Sequence, residues 1–337
     1  MTEYKSTNKK FFKNKSILIT GGTGSFGKKI VEYFLQNKFP FKKIVILSRD
    51  EFKQFEMSKD LNKYNYEGLR FFLGDIRDKD RVKTAFRNID FIIHAAALKQ
   101  VPAAEYNPIE FIKTNILGSQ NIVEAALDSK VSKVIALSTD KACSPINLYG
   151  ATKLCADKLF ISSNNIKGDR NISLSVVRYG NVLNSRGSVV PEFYNQKRSG
   201  TLYITDKNMT RFNIFLEDAV KMVLWSLKNL NGGEILVPKL NSYRVLDLAK
   251  AIGPECKILY SGIRPGEKIH EELISKSEGN NTYDIGKYFM ILDNNKNFNY
   301  IIKNLSAKKV LSNFNYTSDN NNFLTIDEIK KILNKFN

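Results

Sequence analysis

The twenty residues from Val134 to Lys153, VIALSTDKACSPINLYGATK, hold a hydroxyl, a carboxyl, a phenol and two amines at fixed spacing: Thr139, Asp140, Lys141, Tyr149 and Lys153. Tyr149 and Lys153 are four residues apart, so a helix opening at Tyr149 puts phenol and ammonium on one face. A nearby ammonium favours phenolate, which predicts a tyrosine that takes a proton from an alcohol near neutral pH. Asp140 and Lys141 add a second acid and base just upstream. An acid–base neighbour pair after a strand is ordinarily a surface ion pair of little energetic worth. Lying between Thr139 and Tyr149, this one reads as chemistry.

The elements that must hold these groups follow from periodicity. Apolar runs at Ser16–Thr20, Lys43–Leu47, Arg70–Leu73, Asp90–His94, Lys133–Leu137 and Ser173–Arg178 read as buried strands. Between them, Ile30, Val31, Phe34 and Leu35 share one helical face, and Lys113–Leu127 has helical spacing. Strands alternating with amphipathic helices predict an α/β fold, a Rossmann-type doubly wound parallel sheet. Ligands of such sheets bind beyond the carboxyl ends of the strands, where every motif of interest falls. A helix at Glu217–Leu227 and a strand at Glu234–Val237 are expected to rejoin the sheet. The expected division is a dinucleotide domain over 12–182 and 212–238, and a smaller C-terminal substrate-binding lobe over 183–211 and 239–300. A C-terminal extension over 301–337 would end in a helix at Thr325–Phe336.

Gly22-x-Gly24-x-x-Gly27 follows the first strand and opens a helix, the context a dinucleotide fingerprint requires. Glycine lets backbone amides approach a pyrophosphate, and the helix N-terminus favours its charge. The second strand ends at Ser48-Arg49-Asp50, with Lys53 one turn on. Asp50 alone suits the ribose 2′-hydroxyl of NAD, whereas Arg49 and Lys53 suit the 2′-phosphate of NADP. The two cations favour NADP. Asp75, after the third strand, is placed to meet the adenine or to cap the following helix.

The chain has 337 residues and a formal net charge of +18. Such a charge raises the question of a polyanionic partner, but the lysines are spread along the chain and no nucleic-acid motif accompanies them. Lys5, Lys9, Lys10, Lys13 and Lys15 crowd the first fifteen residues without an apolar segment, so these do not read as a signal peptide. No apolar run reaches membrane-spanning length. Three cysteines, Cys143, Cys155 and Cys256, suggest neither a metal site nor a disulfide framework, and a cytoplasmic location is expected. His94 and His270 lack companions at ligand spacing, so no metal is expected.

Thr20-Gly21-x-x-Gly24-x-x-Gly27, the Thr139/Tyr149/Lys153 set and Arg264-Pro265-Gly266 resemble the extended short-chain dehydrogenases/reductases. Ser138–Ala142, Asn147–Lys153 and Arg264–Lys268 narrow the resemblance to the soluble, inverting UDP-N-acetylglucosamine 4,6-dehydratases, over nearly the whole chain from Ser16. That family opens the synthesis of pseudaminic acid, which decorates bacterial flagellins. The resemblance implies an NADP site at Gly21, Thr23, Gly24, Ser25, Phe26, Gly27, Ser48, Arg49, Asp50, Lys53, Asp75, Ile76, Ala95, Lys99, Tyr149, Lys153, Val182 and Arg186. It implies UDP-N-acetylglucosamine contacts at Lys99, Tyr149, Asn181, Thr205, Arg264 and Glu267, and a homo-oligomer, dimer or hexamer. Arg211 is a further diphosphate ligand or the partner of a surface carboxylate. Leu183-Asn184 departs from the family's valine and glycine before Ser185-Arg186-Gly187.

In that family's reaction Tyr149 would deprotonate the C4 hydroxyl as NADP takes the hydride, with Thr139 holding the hydroxyl. Asp140 would then be the acid for the departing C6 hydroxyl and Lys141 the base at C5. A free lysine titrates near 10.4, so Lys141 must be partly neutralised by desolvation or by a cation such as Lys153, against the pull of Asp140. Retaining dehydratases resemble this site but carry glutamate in place of Lys141. A nucleotide-sugar 4-epimerase would need Thr139, Tyr149 and Lys153 but no Asp–Lys pair. A non-catalytic NADP-binding regulator would need neither Tyr149 nor Lys153.

Overall fold

A computed structural model describes residues 9–183, 188–292 and 304–334. The first half alternates strand and helix: β1 Ser16–Thr20, α1 Ser25–Gln36, β2 Lys43–Ser48, α2 Glu51–Leu61, β3 Leu69–Leu73, α3 Lys79–Ala85 and β4 Phe91–His94. Three helices follow, α4 Val101–Tyr106, α5 Pro108–Phe111 and α6 Gly118–Leu127, before β5 Lys133–Thr139, α7 Leu148–Ser162 and β6 Ser173–Tyr179. The helical spacing from Lys113 is real, but Ile112–Leu117 forms a π-helical turn ahead of α6. That turn carries Asn115, whose side chain bonds both backbone groups of Leu98 and the Thr152 hydroxyl.

After β6 the chain leaves the sheet as α8 Val189–Lys197, β7 Thr201–Ile204 and β8 Thr210–Asn213, and returns as α9 Leu216–Asn229 and β9 Glu234–Pro238. It leaves again as β10 Asn241–Arg244, α10 Val245–Ile252, β11 Lys257–Tyr260, β12 Glu272–Ile274 and α11 Lys276–Gly279. Then come β13 Thr282–Asp284, β14 Tyr288–Leu292, β15 Lys308–Lys309, β16 Tyr316–Thr317 and a terminal helix, Ile326–Leu333, capped by Thr325.

The main sheet runs β15-β13-β14-β9-β6-β5-β4-β1-β2-β3, and its strands from β9 to β3 are parallel. Chain order reverses between β1 and β4, which opens a crevice above their carboxyl ends. All five residues of β1 are buried, as a central strand covered on both faces demands. Packing on one face centres on Ile17, Ile19, Ile30 and Phe34, and on the other on Leu18, Ile92, Val134 and Phe160. Residues 282–292 depart from the expected division. β13 and β14 pair antiparallel, and β14 pairs antiparallel with β9, so they widen the main sheet instead of joining the lobe. The lobe has its own core of Val190, Leu202, Leu248 and Ile252, with Ile329 and Leu333 of the terminal helix packed into it.

Candidate active site

The crevice opens into a cavity of about 1380 Å³ between sheet and lobe. Gly21 turns the chain at φ +64°, where a Cβ would lie 2.8 Å from the Ala96 backbone. A Cβ on Gly27 would lie 2.4 Å from Gly22, so only glycine lets α1 settle on this turn. No side chain caps α1, whose first-turn amides at Ser25, Phe26 and Gly27 stay open to an anion beside Thr23 and Gly24. The cradle fits the pyrophosphate of a dinucleotide. Around it lie Ser48, Arg49, Asp50, Lys53, Asp75, Ile76 and Ala95.

Asp50 is already engaged: one carboxylate oxygen caps α2 through the Lys53 amide at 2.9 Å, and the other takes the Lys53 ammonium at 2.6 Å. Arg49 is 56% exposed and reaches only to 3.8 Å from Asp75. Asp75 accepts from the Arg77 amide and guanidinium, and α3 is capped by Asp78 instead.

The opening segment folds as its spacing predicts. Asn147 caps α7 by accepting the Gly150 amide at 2.8 Å, which starts the helix at Leu148 and places Tyr149 and Lys153 one turn apart. Tyr149, Lys153, Thr139, Lys141 and Lys99 all line the cavity. Asn181 and Val182, just past β6, and Thr205, Arg211, Arg264 and Glu267 line it too, whereas Arg186 and Asn184 lie outside the described residues. Arg264 sits on a turn closed by Glu267 N–H to its carbonyl at 3.0 Å. Asn147 donates to Gly266 O at 2.7 Å, so the cap of α7 also ties down that lobe loop.

Two expectations about charge change. Lys153 donates to the Leu137 carbonyl at 2.8 Å, and burial lowers its pKa against the opposing pull of Asp157. Burial pushes Tyr149 up to about 12, and the charge that pulls it back is that of Lys141, helped by a hydrogen bond with Thr139. The phenol is therefore neutral near pH 7 until further positive charge enters the cleft. Lys141 also differs from the neutral amine expected. Burial works to discharge it, but Asp140 and Glu271 outweigh that effect and hold its pKa above the ordinary lysine range. Its amine lies 3.0 Å from each carboxylate. Lys99, across the cleft, also has a lowered pKa, through burial and then the charge of Lys141.

Asp140 is fully buried, just behind the cavity wall. Burial and the negative charge of Glu271 raise its pKa, so it leans toward the protonated form an acid catalyst needs. Glu271 escaped the sequence reading. Its signal was slight, a carboxylate just before a short strand and four residues past Glu267. Arg211 is buried as well, donating to the Thr210 and Ile269 carbonyls and lying 3.5 Å from Glu267 and 3.6 Å from Glu271. Its carboxylate partners lie within the cleft, and not on the surface. His94 is structural: it is buried between Thr20 and Ser119, and burial, then Lys153, lowers its pKa to about 3.

The fold and the Thr139–Tyr149–Lys153 set define an extended short-chain dehydrogenase/reductase. The chain belongs to the family of polysaccharide biosynthesis proteins, whose model matches residues 17–293. It is similar to the inverting UDP-N-acetylglucosamine 4,6-dehydratase of Campylobacter jejuni subsp. jejuni serotype O:23/36 (strain 81-176). The two are 51% identical over 318 residues, 92% of this chain and 94% of the relative. It is also similar to the UDP-glucose 4-epimerase of Rickettsia akari (strain Hartford), at 42% identity over 330 residues and 96% of each chain. The X-ray structure of Pen from Bacillus thuringiensis shares 37% identity with a TM-score of 0.89, covering 97% of this chain and 99% of that one.

Proposed function

We propose that this chain is a C5-inverting UDP-N-acetylglucosamine 4,6-dehydratase that uses NADP catalytically. The observation that carries the reading is the Lys141 amine, 3.0 Å from buried Asp140 and on the same cavity wall as Tyr149. The dehydratase relative at 51% identity supports it. When bound, the oxidised nicotinamide supplies a hydride acceptor for C4, a positive charge near Tyr149 and, once reduced, the hydride for C6.

The chain's own groups do the rest. Tyr149 takes the proton of the C4 hydroxyl, which Thr139 orients. The C4 ketone acidifies the C5 hydrogen. Once Lys141 has passed its own proton to Asp140 across their 3.0 Å contact, the neutral amine removes the C5 proton and protonated Asp140 gives its proton to the departing C6 hydroxyl. Arg264, on its fixed turn, and Arg211 hold the nucleotide diphosphate. Lys99, Asn181, Thr205 and Glu267 contact the sugar nucleotide. The reading also carries assembly as a homo-oligomer, work in the cytoplasm, and the first step toward pseudaminic acid for flagellin.

A 4-epimerase is the second reading, favoured by the Rickettsia relative. It uses Tyr149 and Thr139 but leaves Asp140 and Lys141 without a task. Incubation with UDP-N-acetylglucosamine separates the two: a dehydratase yields a 4-keto-6-deoxy product lighter by one water, and an epimerase an isomer of equal mass.

NADP preference rests on Arg49, because Lys53 is held by Asp50 while the Arg49 guanidinium is more exposed. Losing a charged partner of a phosphate costs about 1.5–3 kcal/mol. Arg49→Ala should weaken NADP by that amount in calorimetry and leave NAD unaffected. Equal losses for both cofactors would remove Arg49 from the phosphate site.

A further inference from the structure

Glu271 is 2% exposed, faces the cavity, and reaches Lys141 from the lobe, not from the strand-end segment that carries Asp140 and Lys141. Its backbone is fixed on both sides: its amide donates to the Ser318 hydroxyl at 2.8 Å, and its carbonyl accepts the Ser318 amide at 2.8 Å. The Ser318 hydroxyl is in turn 2.7 Å from that of Thr210, beside Arg211. The segment that braces Glu271 therefore lies beyond residue 293, where the family match ends. One oxygen of Glu271 faces Lys141 and Arg211, and the other is buried without a hydrogen-bond partner among the described residues. A carboxylate so confined lacks the freedom of a surface ion pair to let go.

We propose that Glu271 is a positioning residue: a braced negative charge, 3.0 Å from the Lys141 amine, that holds that amine against Asp140. The proposal rests on the dehydratase reading, in which Asp140 and Lys141 act at C6 and C5. Lys141 is faced by Asp140 from its own turn, Glu271 before β12, Arg211 from β8, Lys99 across the cleft, Tyr149 from α7 and Tyr243 from β10. Asn181 adds a neutral oxygen at 3.3 Å. Of these, Asp140 and Glu271 are the carboxylates, and they compete for one amine. Glu271 attracts the proton of Lys141 and, as a like charge, makes Asp140 keep its own. It thereby favours the state with Asp140 protonated and Lys141 held, the starting point for acid-assisted loss of the C6 hydroxyl. Against its burial, Lys141 and then Arg211 lower the pKa of Glu271, and Arg211, 3.6 Å away, is the cation that stays beside it when Lys141 gives up its proton.

Removing the charge but not the shape should lower the proton affinity of Asp140 and Lys141 together. The two limbs of the pH profile, which report the protons shared by Asp140 and Lys141, then both move the same way. The test is the rate of water loss from UDP-N-acetylglucosamine against pH for the full-length enzyme, Glu271→Gln and Glu271→Asp, with melting temperatures alongside. Glu271→Gln should lose on the order of ten- to a hundredfold at the native optimum, with its profile displaced to lower pH. Glu271→Asp, which keeps the charge, should be slower without that displacement. A Gln variant with native rate overturns the proposal, as does a uniform loss with an unmoved profile that tracks a fall in melting temperature. If Gln prevents folding, a displaced profile in Glu271→Asp overturns it. A native enzyme that releases no water sinks the dehydratase reading first, and this proposal with it.

Discussion

Lys141→Ala should yield an enzyme that still reduces its cofactor on mixing with substrate but stalls before water is lost, whereas Tyr149→Phe should do neither. Both residues line one cavity, and in the proposed reaction they act on different hydrogens of the sugar. On that proposal Tyr149 is required while the C4 hydroxyl is being deprotonated, and Lys141 only once the C4 ketone has acidified C5. Loss of a general acid or base slows its step by roughly 10²–10⁴-fold. The two steps are not fully independent, because the charge of Lys141 is what pulls the Tyr149 pKa down. Cofactor reduction in Lys141→Ala should therefore be slower than native and recover as pH rises. Stopped-flow absorbance of reduced nicotinamide, read beside product release, separates the two outcomes. Near-native turnover of Lys141→Ala would remove it as the C5 base.

Arg178→Met should destabilise the fold by about 3–5 kcal/mol, the cost of breaking a buried ion pair from one side. The Arg178 side chain is 1% exposed and lies 2.9 Å from Glu278 and 3.5 Å from Asp157, which is itself 2% exposed. Asp157 accepts the Ser138 hydroxyl at 2.7 Å and stands one turn beyond Lys153 on α7. The cluster therefore clamps the end of β5 to the helix carrying Tyr149. Burial raises the pKa of Asp157 even with Arg178 beside it, so removing the guanidinium leaves a carboxylate that must take up a proton to stay inside. Arg178→Met/Asp157→Asn should recover part of the loss in chemical denaturation. Equal destabilisation of the single and double variants would show that the pair is not coupled.

The parts of the site legible in the sequence are those whose chemistry is local. The glycine turn, the Asp140–Lys141 neighbours and the Tyr149–Lys153 turn depend on spacings of a few residues, and β1, α1, β5 and α7 form where those spacings place them. The protonation states were not legible, because they depend on groups far along the chain. Asp140 next door, joined by Glu271 from far along the chain, reverses the expected discharge of Lys141, and burial overrides the ammonium expected to ionise Tyr149. The antiparallel edge was also hidden. Tyr288–Leu292 is an uninterrupted apolar run, and such a run says that a strand is buried but not which neighbour it pairs with or in which direction. Arg178 looked like the end of a strand until α11 supplied Glu278.

The claim that Lys141 and Asp140 carry out an elimination at C5 and C6 is tested most directly by turnover of UDP-N-acetylglucosamine in heavy water, with the product followed by NMR. The account predicts a 4-keto-6-deoxy sugar nucleotide with deuterium at C5 and inverted configuration there. A product with hydrogen retained at C5, or with C5 configuration unchanged, would contradict it.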